Sequence, residues 1–259
     1  MTADDLAIAG FVPFSSIDWP TRLAATVFLQ GCPWNCGYCQ NPELIDPLLS
    51  GTIAWRTVRE TLERRAGLLD GVVFSGGEPL RQTAVVDAIA EVREMGFLAA
   101  VHTAGSYPAR LEALLPSLAW VGLDIKAPPL LYGAVTGVEA SGARAWASLD
   151  LVVGSGIDYE VRVTVDPTVL GLSDVEEIVA ELARRGARLP VLQEVRSMGA
   201  RPEYAARLGN KRLSDVVPEG AFPDIERRVE HPPIKGAPSI REALASRDGD
   251  SSGDSRKSA

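Results

Sequence analysis

Cysteine is scarce in this chain, with three residues among 259, and histidine is scarcer still, with two. An odd count of three cannot close a set of disulfides, and one bridge in a chain this long would do little. A structural zinc site needs four nitrogen or sulfur ligands, yet His102 and His231 both lie far from the cysteines and there is no second cysteine pair. No apolar run is long enough to cross a membrane, so a membrane partner is not expected. Basic residues are outnumbered 26 to 34, for a formal charge of −8. A phosphate backbone calls for a basic surface, so nucleic acid is not an expected partner either. Residues Met1–Gly10 lack the apolar stretch of a signal peptide, and thiols that look like ligands fit a reducing compartment, so a cytoplasmic location is expected. The segment Ser246–Ala259 has no large apolar residue and is expected to be disordered.

Elsewhere the chain is 46% apolar and alternates between two periodicities. Leu23–Gln30, Gly71–Ser75, Phe97–Thr103, Trp120–Ile125, Tyr159–Val165 and Leu189–Val195 read as strands. Thr52–Leu69 reads as a helix with Val58, Leu62, Ala66 and Leu69 on one face, and Leu80–Met95 as a second, stopped by Gly96. Ala109–Leu115 reads as a short helix between prolines. Ser173–Glu176 reads as a capping box opening a helix that runs to Gly186. Strands alternating with helices imply βαβ units and a parallel sheet in an α/β fold. The expected organisation is a core over residues 1–200, a C-terminal extension over 201–245 with helical character near Ile240–Ala245, and a tail over 246–259.

All three cysteines fall in Gly31-Cys32-Pro33-Trp34-Asn35-Cys36-Gly37-Tyr38-Cys39, a C-x3-C-x2-C spacing. A four-iron cluster takes one thiolate per iron, so three thiolates leave one iron open for a substrate. Cys32, Cys36 and Cys39 are therefore the candidate metal ligands, with Pro33 and Trp34 as shields against water. Further candidates stand at or just after strand ends, where parallel α/β barrels gather their chemistry, apart from a polar pair inside the fifth strand. Ser75-Gly76-Gly77-Glu78-Pro79 combines glycines that allow close backbone approach with a carboxylate able to accept from an ammonium, although the same residues suit a plain strand-to-helix turn. Thr103 ends a strand beside His102, which reads as a core histidine. Asp124 and Lys126 share one side of a strand end and could grip a zwitterion or simply pair. Glu160 and Arg162 share a face too, either as a polar interior layer or as structural partners. Gln193 and Arg196 complete the set.

The cysteine loop, with Tyr38 before its last cysteine, resembles that of the radical S-adenosylmethionine enzymes. Gly76-Gly77-Glu78 resembles that family's GGE motif, and Thr103-Ala104-Gly105 its Thr-x-Gly turn. Asp124-Ile125-Lys126 resembles the D-x-K motif of glycyl-radical-enzyme activases. The stretch Phe14–Pro20 together with VFLQGCPWNCGYCQNPEL resembles the anaerobic ribonucleoside-triphosphate reductase activating proteins, and GLDIK, DYEVRVTV and LQEVR agree.

The resemblance implies a partial (β/α)6 TIM-like barrel, a [4Fe–4S] cluster and S-adenosylmethionine. It implies cofactor contacts from Tyr38, Gln40 (where many activases carry histidine), Gly76, Gly77, Glu78, Thr103, Asp124, Lys126, Arg162, Gln193 and Arg196, with Glu78 holding the methionine amino group. It also implies reductive cleavage to a 5′-deoxyadenosyl radical, transfer of that radical to a glycine of a partner such as anaerobic ribonucleotide reductase, and a flavodoxin or ferredoxin as electron donor. No side chain need act as an acid or base. Two other readings stay compatible with the sequence: a radical enzyme acting on a small molecule or another macromolecule, and a non-enzymatic metal-stabilised binding protein.

Overall fold

The computed structural model describes residues 1–229, so the expected helix at Ile240–Ala245 and the tail from Ser246 lie outside the described residues. One eight-stranded sheet organises the chain in strand order β1 to β8. Strand β1 (Ile8–Ser15) pairs antiparallel with β2 (Ala24–Leu29). Then β3 (Gly71–Gly76), β4 (Leu98–Thr103), β5 (Trp120–Asp124), β6 (Asp158–Val165), β7 (Val191–Glu194) and β8 (Arg227–Arg228) follow in parallel. The six expected strands are β2–β7. Strand β1, the short β8 and two helices, α4 (Tyr132–Thr136) and α5 (Ser141–Ser155), lay outside the sequence reading.

The continuous apolar runs of β2 and β3 are buried, as parallel strands covered on both faces require. Helix α1 (Trp55–Glu63) turns Trp55, Val58 and Leu62 inward, and α2 (Val85–Glu94) turns Val85, Ala88, Ile89 and Val92 inward. Both are shorter than their periodicity suggests. Residues Pro79–Arg81 form a separate 3-10 turn before α2, because proline fits a first helical turn but cannot donate within a helix. Helix α3 (Pro108–Leu114) matches its expected position.

Helix α6 (Leu172–Arg184) starts ahead of the expected cap. Asp174 carries the cap by accepting from the Gly171 N–H at 2.7 Å, so Gly171 and not Ser173 is the N-cap. Residues 201–228 carry α7 (Pro202–Leu208), α8 (Leu213–Val216) and β8, and belong to the same compact unit as the rest of residues 1–228.

Two apolar layers result. One lies between sheet and helices, and the other is a small cluster inside the sheet's curve built from Trp19, Ala24, Val73, Ala100 and Trp120. Trp19 sits in the turn after β1 and stacks on Trp120 at 5.9 Å between centroids. Its neighbour Asp18 accepts from Thr26 Oγ1 at 2.7 Å, and the Asp18 carbonyl meets His102 Nε2 at 2.6 Å. The Phe14–Pro20 stretch thus closes the floor of the interior and leaves the carboxyl ends of the strands as the mouth. Burial, reinforced by the Arg162 guanidinium, pushes the His102 pKa down to about 3, so this histidine is neutral. Trp120→Ala should lower stability by about 3–5 kcal/mol through the cavity it leaves, as read by urea unfolding, and Trp19→Ala should act in the same direction.

Candidate cofactor site

The cysteine loop leaves β2 at Gly31, where φ is +94° and glycine is favoured. Its backbone is held from two sides. Gly31 and Cys32 N–H donate to the Leu44 and Ile45 carbonyls at 2.8 and 3.0 Å, and Asn35 and Gly37 N–H donate to Thr136 and Val135 of α4 at 2.8 and 3.2 Å. Buried Gln30 donates to the Glu43 and Asp46 carbonyls at 2.9 Å each. Trp34 is buried edge-on against Tyr132, 5.9 Å away.

All three cysteines are free thiols, with Cys36 buried and the others half-buried. Burial pushes the Cys32 thiol up to about 12 and raises Cys36 and Cys39 as well, so a thiolate here needs positive charge beside it. Lys126 supplies part of that charge to all three. A zinc site would need a fourth ligand beside the three thiols. One thiolate per iron instead spaces the ligands around a cluster. One buried polar atom of the loop, Trp34 Nε1, has no hydrogen-bond partner, which leaves it for a group the protein does not itself provide. The donor set fits an iron–sulfur cluster.

The Gly76-Gly77-Glu78 turn is locked to this loop. Gly77 N–H donates to the Leu29 carbonyl at 2.9 Å and Glu78 N–H to the Gly31 carbonyl at 3.0 Å. Glu78 is fully buried. It accepts from Thr103 Oγ1 at 2.8 and 3.0 Å, from Ala104 N–H at 3.0 Å and from Leu80 N–H at 3.1 Å. Burial still raises its pKa against these donors. Thr103 is equally buried and spends its hydroxyl on Glu78. Together the two residues tie the glycine turn to β4, and the backbone of Gly76 and Gly77 is half-buried.

Asp124 is the hub of the opposite side. Its carboxylate pairs with Arg162 Nε at 2.9 Å and Lys126 Nζ at 3.4 Å while remaining 31% exposed. Burial would raise its pKa, but Arg162 and Lys126 outweigh burial and hold it low. Burial likewise opposes the Lys126 charge and is outweighed by Tyr38, Asp124 and Cys36. The ammonium stands 5.6 Å from the Tyr38 ring centroid, and the Lys126 N–H donates to Tyr132 Oη at 2.9 Å. Arg162 therefore both lines the interior and pairs, as does Glu160, which forms a two-point ion pair with Arg228 of β8 at 2.6 and 2.9 Å.

Gln193 lies half-buried on β7, where its Oε1 accepts from Thr164 at 3.4 Å. Gln40 closes the cysteine loop against Gly199, and Arg196 is exposed beyond β7. The cysteine loop, the glycine turn, Thr103, Asp124, Lys126 and Arg162 are brought together by contact. Sequence reasoning missed Tyr132, Tyr204 and Arg201. The first lies on an unread helix, and the others lie in a segment whose pattern shows no clear period.

A family model described as the Radical SAM superfamily matches residues 26–186. The Methanocaldococcus jannaschii protein named "Putative glycyl-radical enzyme activating enzyme MJ1227" is 30% identical over 179 residues, covering 66% of this chain and 73% of that protein. The pyruvate formate-lyase-activating enzyme of Clostridium pasteurianum is 31% identical over 173 residues, covering 64% and 70%. Among solved structures, Streptococcus suis SuiB bound to precursor peptide SuiA aligns with a TM-score of 0.53 at 16% identity, over 65% of this chain and 38% of that one. The chain thus spans well under half of SuiB, and the likeness is one of fold.

Because Glu78 ties β3 to β4, Glu78→Gln should cost about 1–3 kcal/mol of stability by leaving donors poorly matched, and Thr103→Val should do likewise, both read by denaturant unfolding. Asp124 has a lowered pKa in the folded state, so its contribution is present above the ordinary carboxylate pKa and is lost as pH falls through the folded value. Asp124→Asn should therefore flatten the acid limb of a stability-against-pH curve, and an unchanged acid limb would show that the Arg162–Asp124–Lys126 chain contributes nothing measurable.

Proposed function

This chain belongs to the Radical SAM superfamily, and we propose that it is an activating enzyme for a glycyl-radical enzyme. Its family uses a [4Fe–4S] cluster and S-adenosylmethionine, and Cys32, Cys36 and Cys39 would hold the cluster. The observation that carries this reading is the three free thiols on one clamped loop, facing a glycine turn on one side and the Asp124–Lys126–Arg162 chain on the other. Of the two relatives above, one is named a putative glycyl-radical enzyme activating enzyme and the other a pyruvate formate-lyase-activating enzyme.

Bound there, the cluster and S-adenosylmethionine would supply the hard chemistry, one-electron reductive cleavage of the sulfonium. The protein's part is to bind, orient and exclude water. Lys126 supplies positive charge beside the buried thiols and steadies their anionic form. Asp124, fixed on two sides by Arg162 and Lys126, keeps an exposed oxygen edge able to accept from an ammonium or a hydroxyl. Gly76 and Gly77 present backbone without side chains in the way. Trp34 and Tyr38 are buried around the thiols and keep water from them. No step requires a side chain to gain or lose a proton.

The proposed partner is an anaerobic ribonucleotide reductase, supported by the resemblance of Phe14–Pro20 and the cysteine loop to activases of that enzyme, with flavodoxin or ferredoxin as electron donor. Such thiol chemistry suits the reducing cytoplasm. Among the described residues no helix is long and apolar enough to cross a membrane.

Protein reconstituted without oxygen should bind about four irons per chain, and each Cys→Ala variant should lose the cluster's absorption and paramagnetic signal. With reductant, S-adenosylmethionine and the partner, a doublet organic radical should grow in step with 5′-deoxyadenosine. Cofactor cleavage without a glycyl radical on any glycyl-radical enzyme tried would defeat the activase assignment. Lys126→Ala should retain less cluster and weaken S-adenosylmethionine binding by about tenfold or more, the loss of one charge-assisted contact, as measured by equilibrium dialysis.

A further inference from the structure

On a chain of formal charge −8, the segment 201–212 (RPEYAARLGNKR) reverses sign, with Arg201, Arg207, Lys211 and Arg212 against Glu203 alone. This basic segment is packed on the outer face of the cysteine loop. Arg201 bonds the Asn35 side chain and donates to the Cys36 carbonyl at 3.4 Å. Tyr204 of α7 meets the Tyr38 ring edge-on at 6.5 Å between centroids, and its hydroxyl donates to Asp166 at 2.8 Å. The Arg207 guanidinium lies 5.2 Å from the Tyr204 ring centroid. A side-chain carbon at Gly37 would stand only 3.2 Å from Arg207 Nη2, so the absence of a side chain there lets the arginine lie flush with the loop. Arg207, Lys211 and Arg212 are all exposed, Arg212 in an ion pair with Glu194 at 3.5 Å.

We propose that this α7 face is the docking surface for an acidic one-electron donor protein. The inference rests on the proposed function, which needs the cluster reduced before each turnover. In that step the donor loses one electron, the cluster gains one, and no atom moves. Electron transfer falls steeply with distance, and α7 is a surface element packed against Gly37, with Arg201 just ahead of it bonded to the Cys36 carbonyl. Opposite charge on donor and acceptor speeds encounter and sets orientation without a large apolar interface. Transient redox complexes bury little area, under about 1,200 Å², which suits a short helix and the residues after it. A nucleic acid fits less well, because the only aromatic in the segment, Tyr204, is buried and cannot stack on a base.

The test uses the full-length protein with its cluster reconstituted, and an acidic flavodoxin as the probe. Calorimetry should give an affinity that weakens with salt. Arg207→Glu combined with Lys211→Glu should weaken it by about tenfold or more, the usual effect of reversing charges in a steered complex, and should slow cluster reduction by flavodoxin. Reduction of the same variant by dithionite should be unchanged, which separates lost docking from a damaged site. Arg207→Lys with Lys211→Arg should keep the affinity, and Arg56→Glu on the remote helix α1 should not alter it. Equal flavodoxin affinity in the charge-reversed variant and the unaltered protein overturns the proposal. So does a charge-reversed variant that loses binding to an RNA oligonucleotide or to a glycyl-radical enzyme while holding flavodoxin normally. Failure of the dithionite-reduced, unaltered protein to cleave S-adenosylmethionine would instead overturn the proposed function, and the binding measurements would still decide the docking surface.

Discussion

Backbone crowding where β2 and β3 end is the constraint on which the site depends. A side-chain carbon at Gly76 would stand 2.2 Å from the Leu29 nitrogen, and one at Gly77 would stand 2.5 Å from the Gly31 oxygen. Real contacts of that length do not occur, so only glycine lets the two strand ends run this close. The approach allows Gly77 and Glu78 N–H to bond the Leu29 and Gly31 carbonyls, which fixes the residue from which the cysteine loop departs. Glu78 then turns inward to Thr103 and Ala104 and carries the same restraint across to β4. A short run of sequence thereby couples three strands, and the thiols inherit their positions from it.

Charge in the mouth is arranged as a chain rather than as isolated groups. Arg162 reaches Asp124, Asp124 reaches Lys126, and Lys126 stands over Tyr38 beside the thiols. Isolated buried charges are costly, and pairing them returns much of that cost only when geometry is good. Pairing also leaves each member a defined orientation, which a binding site needs more than it needs stability. The interior below is different in kind. Trp19 and Trp120 stack there with Ala24, Val73 and Ala100, and His102 is held neutral by burial. An apolar floor and a charged mouth give the interior a direction, with the polar end at the carboxyl ends of the parallel strands.

The six βα strands were legible in the sequence because parallel strands buried on both faces read as apolar runs, and β2–β7 fall within a residue or two of those runs. The cysteine spacing, the paired glycines and the Asp124/Lys126 alternation were legible for a similar reason: each is a local pattern whose chemistry needs residues a fixed distance apart. Helix α5 escaped, since its glycines, alanines and serines blur the period even though Ala145, Leu149 and Val152 are buried along it. Strand β1 escaped because its Gly10 and Pro13 break the alternation.

What the sequence by itself determined is therefore the set of local repeats and the chemical identity of the loop. What only the tertiary structure decided is where each side chain spends its bonding capacity. Glu78 reads as a ligand by its motif, and only the fold shows that it also ties strands together, because two of its donors, Thr103 and Ala104, stand some 25 residues further along. Arg201, Arg207 and Tyr204 looked like an unpatterned extension and prove to lie on the cysteine loop, about 165 residues away in sequence. Contacts of that range leave no period in the chain. They arise from the sheet's curvature, which brings the end of β7 back to the end of β2, and curvature is a property of the assembled strands and not of any one of them.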